Sequence, residues 1–136
     1  TIQAEILKLL DQLRKEMGLA LIFITHDLGV VSKLSDQISV MYAGQVVETG
    51  GTDLILNQPK HPYTKALLQC TPVLGSGENI AGGIPGLPPQ PGLLPEGCTF
   101  SPRCSESLDV CSKQEPNLVR YPERNCRCFL LESVNA

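Results

Sequence analysis

The chain has 136 residues, enough for one ordinary domain or a domain with an appendage. Its formal net charge is -3 and no dense Lys/Arg run occurs, which argues against nucleic acid as the main partner, because phosphate binding rests on clustered cations. No apolar run is long enough to cross a bilayer and no secretory signal opens the chain; a first residue of Thr, set directly in a helical pattern, reads as a piece of something longer.

Thr1 is placed to cap a helix from about Ile2 to Met17. Ile2, Ile6, Leu9, Leu10, Leu13 and Met17 fall on one face at helical spacing, and Gly18 is suited to end it. Leu19 to Ile24 is a continuous apolar run, the pattern of a strand buried on both faces in a parallel sheet. Helix, short turn and buried strand make half of a crossover unit, so the expected fold class is α/β. The run stops at Thr25-His26-Asp27, and ligands in such sheets bind beyond the carboxyl ends of the strands. Taken alone, a His in that place is readable as a ligand, an acid/base or a packed structural residue, and the structural reading is favoured, because fold position alone is a weak warrant.

Asp27 is placed to cap a short helix over Leu28 to Leu34. Asp36 to Tyr42 and Gln45 to Glu48 read as strands around an Ala43-Gly44 turn, a hairpin that Thr49-Gly50-Gly51 ends. Thr52 is the expected cap of a helix to Asn57, closed by Pro59. His61-Pro62-Tyr63-Thr64 opens another helix through about Gln69, with Pro in the first turn where its missing N–H costs nothing. From Thr71 to Gly97 Gly and Pro dominate and no apolar period survives, so this segment is a linker or strap. The expected division is residues 1–70, a linker over 71–97, and a polar Cys-rich extension over 98–136.

Of the six cysteines, Cys70 is alone, on a helix, where small apolar packing accounts for it; Cys98, Cys104, Cys111, Cys126 and Cys128 crowd into the last third. Without an export signal, metal binding is favoured over disulfides, a judgement that an export signal cut away beforehand would reverse. Cys98, Cys104, Cys111 and Cys128 read as C-x5-C-x6-C-x16-C. Structural zinc sites usually set two ligands within two to four residues, and these are wider. Loop and helical-turn thiolates with a distant fourth suit a cube-shaped iron–sulfur cluster as well as a tetrahedral ion. Reduced thiols packing a small lobe are the plain alternative, weakened because so short a polar lobe needs a metal or crosslink to fold.

Ile22-Phe23-Ile24-Thr25-His26-Asp27-Leu28 resembles the switch-histidine loop of ABC-transporter ATP-binding subunits, and Ser35 to Glu48 resembles the strand pair that follows it there. His61-Pro62-Tyr63-Thr64-Lys65-Ala66-Leu67-Leu68, Ile84-Pro85-Gly86 and Gly97-Cys98-Thr99-Phe100-Ser101-Pro102-Arg103-Cys104 resemble the C-terminal extension of dipeptide/oligopeptide (and nickel) importers. The likeness runs through the whole chain in order. It implies the end of an ABC-type nucleotide-binding domain, followed by a strap and a small Cys-rich lobe. It assigns His26 as the residue that reaches the γ-phosphate and helps orient water, and Asp27 as the cap that fixes the loop. Phosphoryl transfer is mostly positioning and electrostatic stabilisation, which an imidazole N–H can supply.

The resemblance further implies ATP and Mg2+ in the full-length parent, and a [4Fe-4S] cluster on Cys98, Cys104, Cys111 and Cys128, with zinc as the second choice. Cys126 departs from the family's pattern and is the alternative fourth ligand; Arg127-Cys128-Phe129-Leu130 matches the family's ending better. Expected partners are a second ABC ATPase subunit, transmembrane permease subunits and, indirectly, a peptide-binding protein, at the cytoplasmic face of the bacterial inner membrane. The chain contains no G-x-x-x-x-G-K-[ST] phosphate loop, no apolar strand ending in Asp-Glu and no LSGGQ-like signature, so by itself it is expected not to hydrolyse ATP. A rival reading of another class is a stand-alone metal-bearing module for dimerisation or redox sensing. Tyr42 and Glu48 are expected to support the hairpin, and Arg103 to balance charge near the thiolates.

Overall fold

The computed structural model describes residues 2–70, 83–90 and 92–132. The expected cap at Thr1 and the first half of the strap, 71–82, lie outside these residues. The chain divides into two compact units, Thr1–Leu34 and Ser35–Ala136.

In the first unit, helix α1 runs Ile2–Met17 and α2 runs Leu28–Leu34, as their apolar spacing predicts. Gly18 takes φ +63°, the left-handed conformation expected of it, and Leu19 N–H closes the helix on the Arg14 carbonyl at 3.0 Å. The strand expected over Leu19 to Ile24 does not form. Those residues are irregular, and Ile22 and Ile24 are 93% and 99% exposed. A strand exists only through backbone pairing with a neighbour, and none of the strands described below pairs with this run. The apolar edge of α1 (Ile2, Ile6, Leu9, Leu13, Met17) is likewise exposed.

The second unit is built on an antiparallel four-stranded sheet of order β1-β2-β4-β3. Strands β1 (Gln37–Tyr42) and β2 (Gln45–Gly51) form the expected hairpin, turning through Ala43 at φ +47° and Gly44 at φ +81°. On β1, Ile38, Val40 and Tyr42 point inward in strict alternation. Strand β2 runs past the Thr49-Gly50-Gly51 break that the sequence suggests. Its far edge pairs with β4 (Arg124–Cys126), and Gly50 permits this, since a Cβ there would come within 3.0 Å of the Glu123 carbonyl. Strand β3 (Val119–Tyr121) turns into β4 through Pro122 and Glu123, the latter at φ +66°. The sequence conceals this turn, because it places Glu where Gly or Asn is usual. The Cys-rich residues therefore share a sheet with residues 37–51.

Helices α3 (Thr52–Asn57) and α4 (Pro62–Gln69) follow β2, and α5 (Phe129–Glu132) follows β4. Thr52 is not the cap of α3. Its hydroxyl donates instead to the Ser35 carbonyl at 2.6 Å, and its N–H to that of Asp36 at 3.1 Å, which ties the helix to the entry of β1. Helices and sheet together fit the α/β class, with an antiparallel sheet in place of the parallel one inferred from Leu19 to Ile24. Among the described residues no helix is long and apolar enough to cross a membrane.

Candidate functional site

Four cysteines far apart in sequence line one small cavity of about 10 Å³: Cys98, Cys104, Cys111 and Cys128. Local chemistry brings each there. Gly97 packs so closely on the turn at Cys111 that a Cβ would collide with its carbonyl, and Cys98 N–H donates to that same oxygen at 2.8 Å. Pro102 sits in the short 3-10 turn Ser101–Arg103, which carries the chain to Cys104; a second such turn, Asp109–Ser112, carries Cys111.

Cys128 arrives by another route. Arg127, one residue before it, donates its N–H to the Val47 carbonyl at 2.9 Å. Its guanidinium reaches the Val46 carbonyl, the Glu115 carboxylate and the Pro116 carbonyl. The segment after β4 is therefore fastened to β2 before it delivers Cys128 to the cavity.

Cys126 lies elsewhere. It is fully buried in β4, opposite Glu48 on one side and Val119 on the other. Burial pushes its thiol far up, and the Glu48 carboxylate pushes it further. Burial also raises the thiols of Cys98 and Cys104, and takes Cys128 to about 11, helped by the other three cavity thiols. At neutral pH these three are protonated. All six cysteines are reduced. Among the described residues no group of three or more His, Cys, Asp or Glu converges as a single-ion site would require. The donor set suits a soft metal centre, but the sulfurs do not stand as a ready-made tetrahedron.

His26 belongs to the other unit, where it is exposed in a bend just before α2. Asp27 caps α2 as expected, its Oδ1 accepting from Gly29 N–H at 2.8 Å and Val30 N–H at 3.3 Å. Its own N–H donates to the Thr25 hydroxyl at 3.0 Å, so the residues on both sides of His26 are linked.

Arg103 does not balance charge at the thiols. It donates to the Ile84 and Pro85 carbonyls at 2.8 and 3.0 Å and to the Tyr42 hydroxyl at 3.3 Å. The strap is held by this clamp, beside an aromatic group of Tyr42, Tyr63 and Phe100. The reason is geometric. A guanidinium presents a fixed fork of donors, and Ile84 and Pro85 offer adjacent carbonyls with no strand to accept from.

Sequence reasoning missed the buried network beneath the cavity. Glu48, wholly inside, accepts from Lys60 N–H, His61 N–H and Arg124. His61, 1% exposed, lines the cavity with the thiols. Its Nδ1 accepts from Tyr63 N–H at 3.0 Å and caps α4. Burial lowers its pKa to about 4, so the ring is neutral. The one available sequence signal was His-Pro at a helix start, which announces a cap but not the Glu48 carboxylate that takes the His61 N–H.

Residues 47–111 match the family described as "Oligopeptide/dipeptide transporter, C-terminal region". The whole chain is similar to the oligopeptide transport ATP-binding protein AppD of Bacillus subtilis (strain 168), 42% identical over 137 residues, and spans 42% of that relative's length. A putative peptide import ATP-binding protein of Brucella abortus (strain 2308) is 44% identical over 128 residues, covering 94% of this chain and 39% of the relative. Another, from Brucella ovis, is 40% identical over 144 residues, covering 100% of this chain and 42% of the relative. The chain thus spans about two-fifths of the relatives it matches. Residues 47–111 are thus identified as an oligopeptide/dipeptide transporter C-terminal region, in a chain similar throughout to peptide-import ATP-binding proteins.

Proposed function

We propose that the chain serves as the C-terminal part of an ATP-hydrolysing subunit that energises peptide import. His26 acts as the switch histidine and the four cavity thiols hold a [4Fe-4S] cluster. The relatives' names support the first part, since they are peptide-import ATP-binding proteins. For His26 the support is its exposure in a short bend between two hydrogen-bonded neighbours, from which a ring can meet an oxyanion. In that role its N–H donates to a terminal phosphoryl oxygen and helps place water, while Asp27 keeps the loop in register. ATP, Mg2+, a second ATPase subunit, permease subunits and a peptide-binding protein belong to the whole protein. That assembly would work at the cytoplasmic face of the bacterial inner membrane.

One observation carries the cofactor reading: Cys98, Cys104, Cys111 and Cys128 line a common cavity while Cys126 does not. A tetrahedral zinc needs four ligand atoms about 2.0–2.3 Å from a single point. The lack of such convergence among the described residues weighs against zinc more than against a cluster, whose four irons each take one thiolate. When bound, the group supplies electron transfer or a covalent-like tie across three loops. The protein's part is to give up the thiol protons, those of Cys98, Cys104 and Cys128 against the upward push of burial, and to exclude water with Phe100 and Pro116. The compositional division at 71–97 is then the join between the nucleotide-binding part and the extension.

Anaerobic purification followed by metal analysis tests this reading. A brown chain with about four irons and matching sulfide supports it, and one zinc without iron overturns the cluster in favour of its rival. The chain alone should show no ATP turnover, and its upstream reading frame should encode a phosphate loop and signature in frame. Turnover above background, or an upstream frame without them, removes the first part.

A further inference from the structure

Cys98 and Cys111 are tied more closely than a shared cavity requires. The Cys98 N–H donates to the Cys111 carbonyl at 2.8 Å, and Gly97, having no Cβ, lets the two backbones meet there. Among the described residues no backbone hydrogen bond joins any other two of the four cavity cysteines directly. With standard bond lengths, a hydrogen bond of this kind sets the two Cα atoms about 5–6 Å apart. Disulfides span Cα separations of about 4.4–6.8 Å, provided that the side chains turn toward each other. That condition is met as well, because both side chains line the same cavity of about 10 Å³.

We propose that Cys98 and Cys111 are a reversible dithiol pair, which hydrogen peroxide converts to a disulfide closing the loop over residues 98–111. The inference does not depend on the metal-centre reading: two facing sulfurs suffice, and no third donor has to converge on them. Cys98 is half-buried and Cys111 buried, so a small oxidant meets Cys98 first. The Cys98 sulfur, once deprotonated, attacks one peroxide oxygen. The O–O bond breaks, leaving a sulfenic acid and a hydroxide that takes up the released proton as water. The Cys111 sulfur then attacks the sulfenic sulfur, the S–O bond breaks, and the hydroxyl leaves with the Cys111 proton as a second water. Two thiols and one peroxide become one disulfide and two waters. Burial holds the Cys98 proton more firmly than usual, so the first step is slow at neutral pH.

The loop so closed carries the Ser101–Arg103 turn and Glu106, which pairs with Lys65 on α4 at 3.2 Å. Arg103 in turn holds the strap at Ile84 and Pro85. The crosslink therefore stiffens the piece that fastens both strap and α4. Closing the same loop in the unfolded chain restricts that state and favours the folded one.

The full 136-residue chain, purified with a chelator so that no metal occupies the thiols, is treated with hydrogen peroxide. Free thiols are then alkylated and the chain is digested after basic and acidic residues without reduction, which separates all four cavity cysteines. Mass mapping should find Cys98 linked to Cys111 in the major product, lighter by two hydrogen atoms and restored by a dithiol reductant. The oxidised chain should unfold at a higher urea midpoint than the reduced one. C70S and C126A should form the same link, and C98S and C111S should show neither the link nor the shift. Free thiols throughout, sulfinic acid without any link, or Cys98 linked mainly to Cys104 or Cys128 overturns the proposal. So does a link that lowers the midpoint, because the sulfurs were then joined only by distorting the fold. If C111S does not fold, the wild-type map decides alone. Metal content is read separately: a chain that takes up neither iron with sulfide nor zinc, yet forms the link, removes the cluster reading and leaves this one standing.

Discussion

Arg124 on β4 donates through Nη1 to Oε1 of Glu48 on β2 at 3.0 Å, across 76 residues of sequence, with both side chains inside the protein. The same Arg124 nitrogen reaches the Gln58 carbonyl at 2.6 Å, and Glu48 also takes the N–H groups of Lys60 and His61. Two strands and the approach to α4 are therefore tied at one carboxylate. Removing it leaves a buried guanidinium and two backbone donors without their acceptor. E48A should lose about 3–5 kcal/mol in urea unfolding, and E48Q, which retains an acceptor, clearly less. Equal losses for the two variants would mean the charge pair matters less than packing.

Arg103 is the clamp on the strap, and the strap has few other fastenings in its described part. R103A removes the bonds to the Ile84 and Pro85 carbonyls and to Tyr42. Limited proteolysis within 83–97 should accelerate by about tenfold or more, consistent with hydrogen bonds to a charged donor worth roughly 1.5–3 kcal/mol each. R103K, with a point charge and no fork, should fall between R103A and wild type. A cleavage rate unchanged in R103A would show that the strap is held by something else.

The cysteines sort into two groups that metal analysis distinguishes. C104S and C128S should each cut iron or zinc content severely, because each removes a donor from the cavity wall. C126A should leave it near wild type, since that thiol faces Glu48 and Val119 instead. Loss of metal in C126A with retention in C128S would reverse the assignment of the fourth ligand.

Stability should depend on pH through His61. Burial holds its folded pKa at about 4, below the ordinary value of 6.5, so the unfolded chain binds the extra proton between those limits. The contribution is complete above pH 6.5 and is lost as pH falls towards 4, by about 3 kcal/mol at most. H61N should flatten that slope, measured as urea midpoint against pH. At the other end the raised Cys128 thiol, at about 11, contributes stability that is present below pH 9 and lost as pH rises towards 11. A metal-loaded chain should lack this alkaline limb, because bound thiolates no longer titrate.

Much of the local structure is written in short-range chemistry. Apolar spacing over Ile2 to Met17, Gly18 after it, Asp27 before α2, Ala43-Gly44 between strands and Pro62 at the start of α4 each specify their own element through neighbours a few residues away. The apolar run at Leu19 to Ile24 misled for the same reason. Its composition suits a buried strand, but pairing is a property of two strands, and a run cannot state whether its partner is at hand. Nor could sequence reveal that Tyr121-Pro122-Glu123-Arg124 turns a hairpin, that Arg103 reaches back to the strap, or that Glu48 and Arg124 pair. The hairpin turn is local but lacks its usual residues, while the last two relations join residues 18 to 76 positions apart, and only the closed chain brings those into contact. The cysteine spacing named the donors without saying which fourth thiol faces the others. That was decided by β4, which ends at Cys126 and packs it between Glu48 and Val119, while Cys128, past the strand's end, lines the cavity.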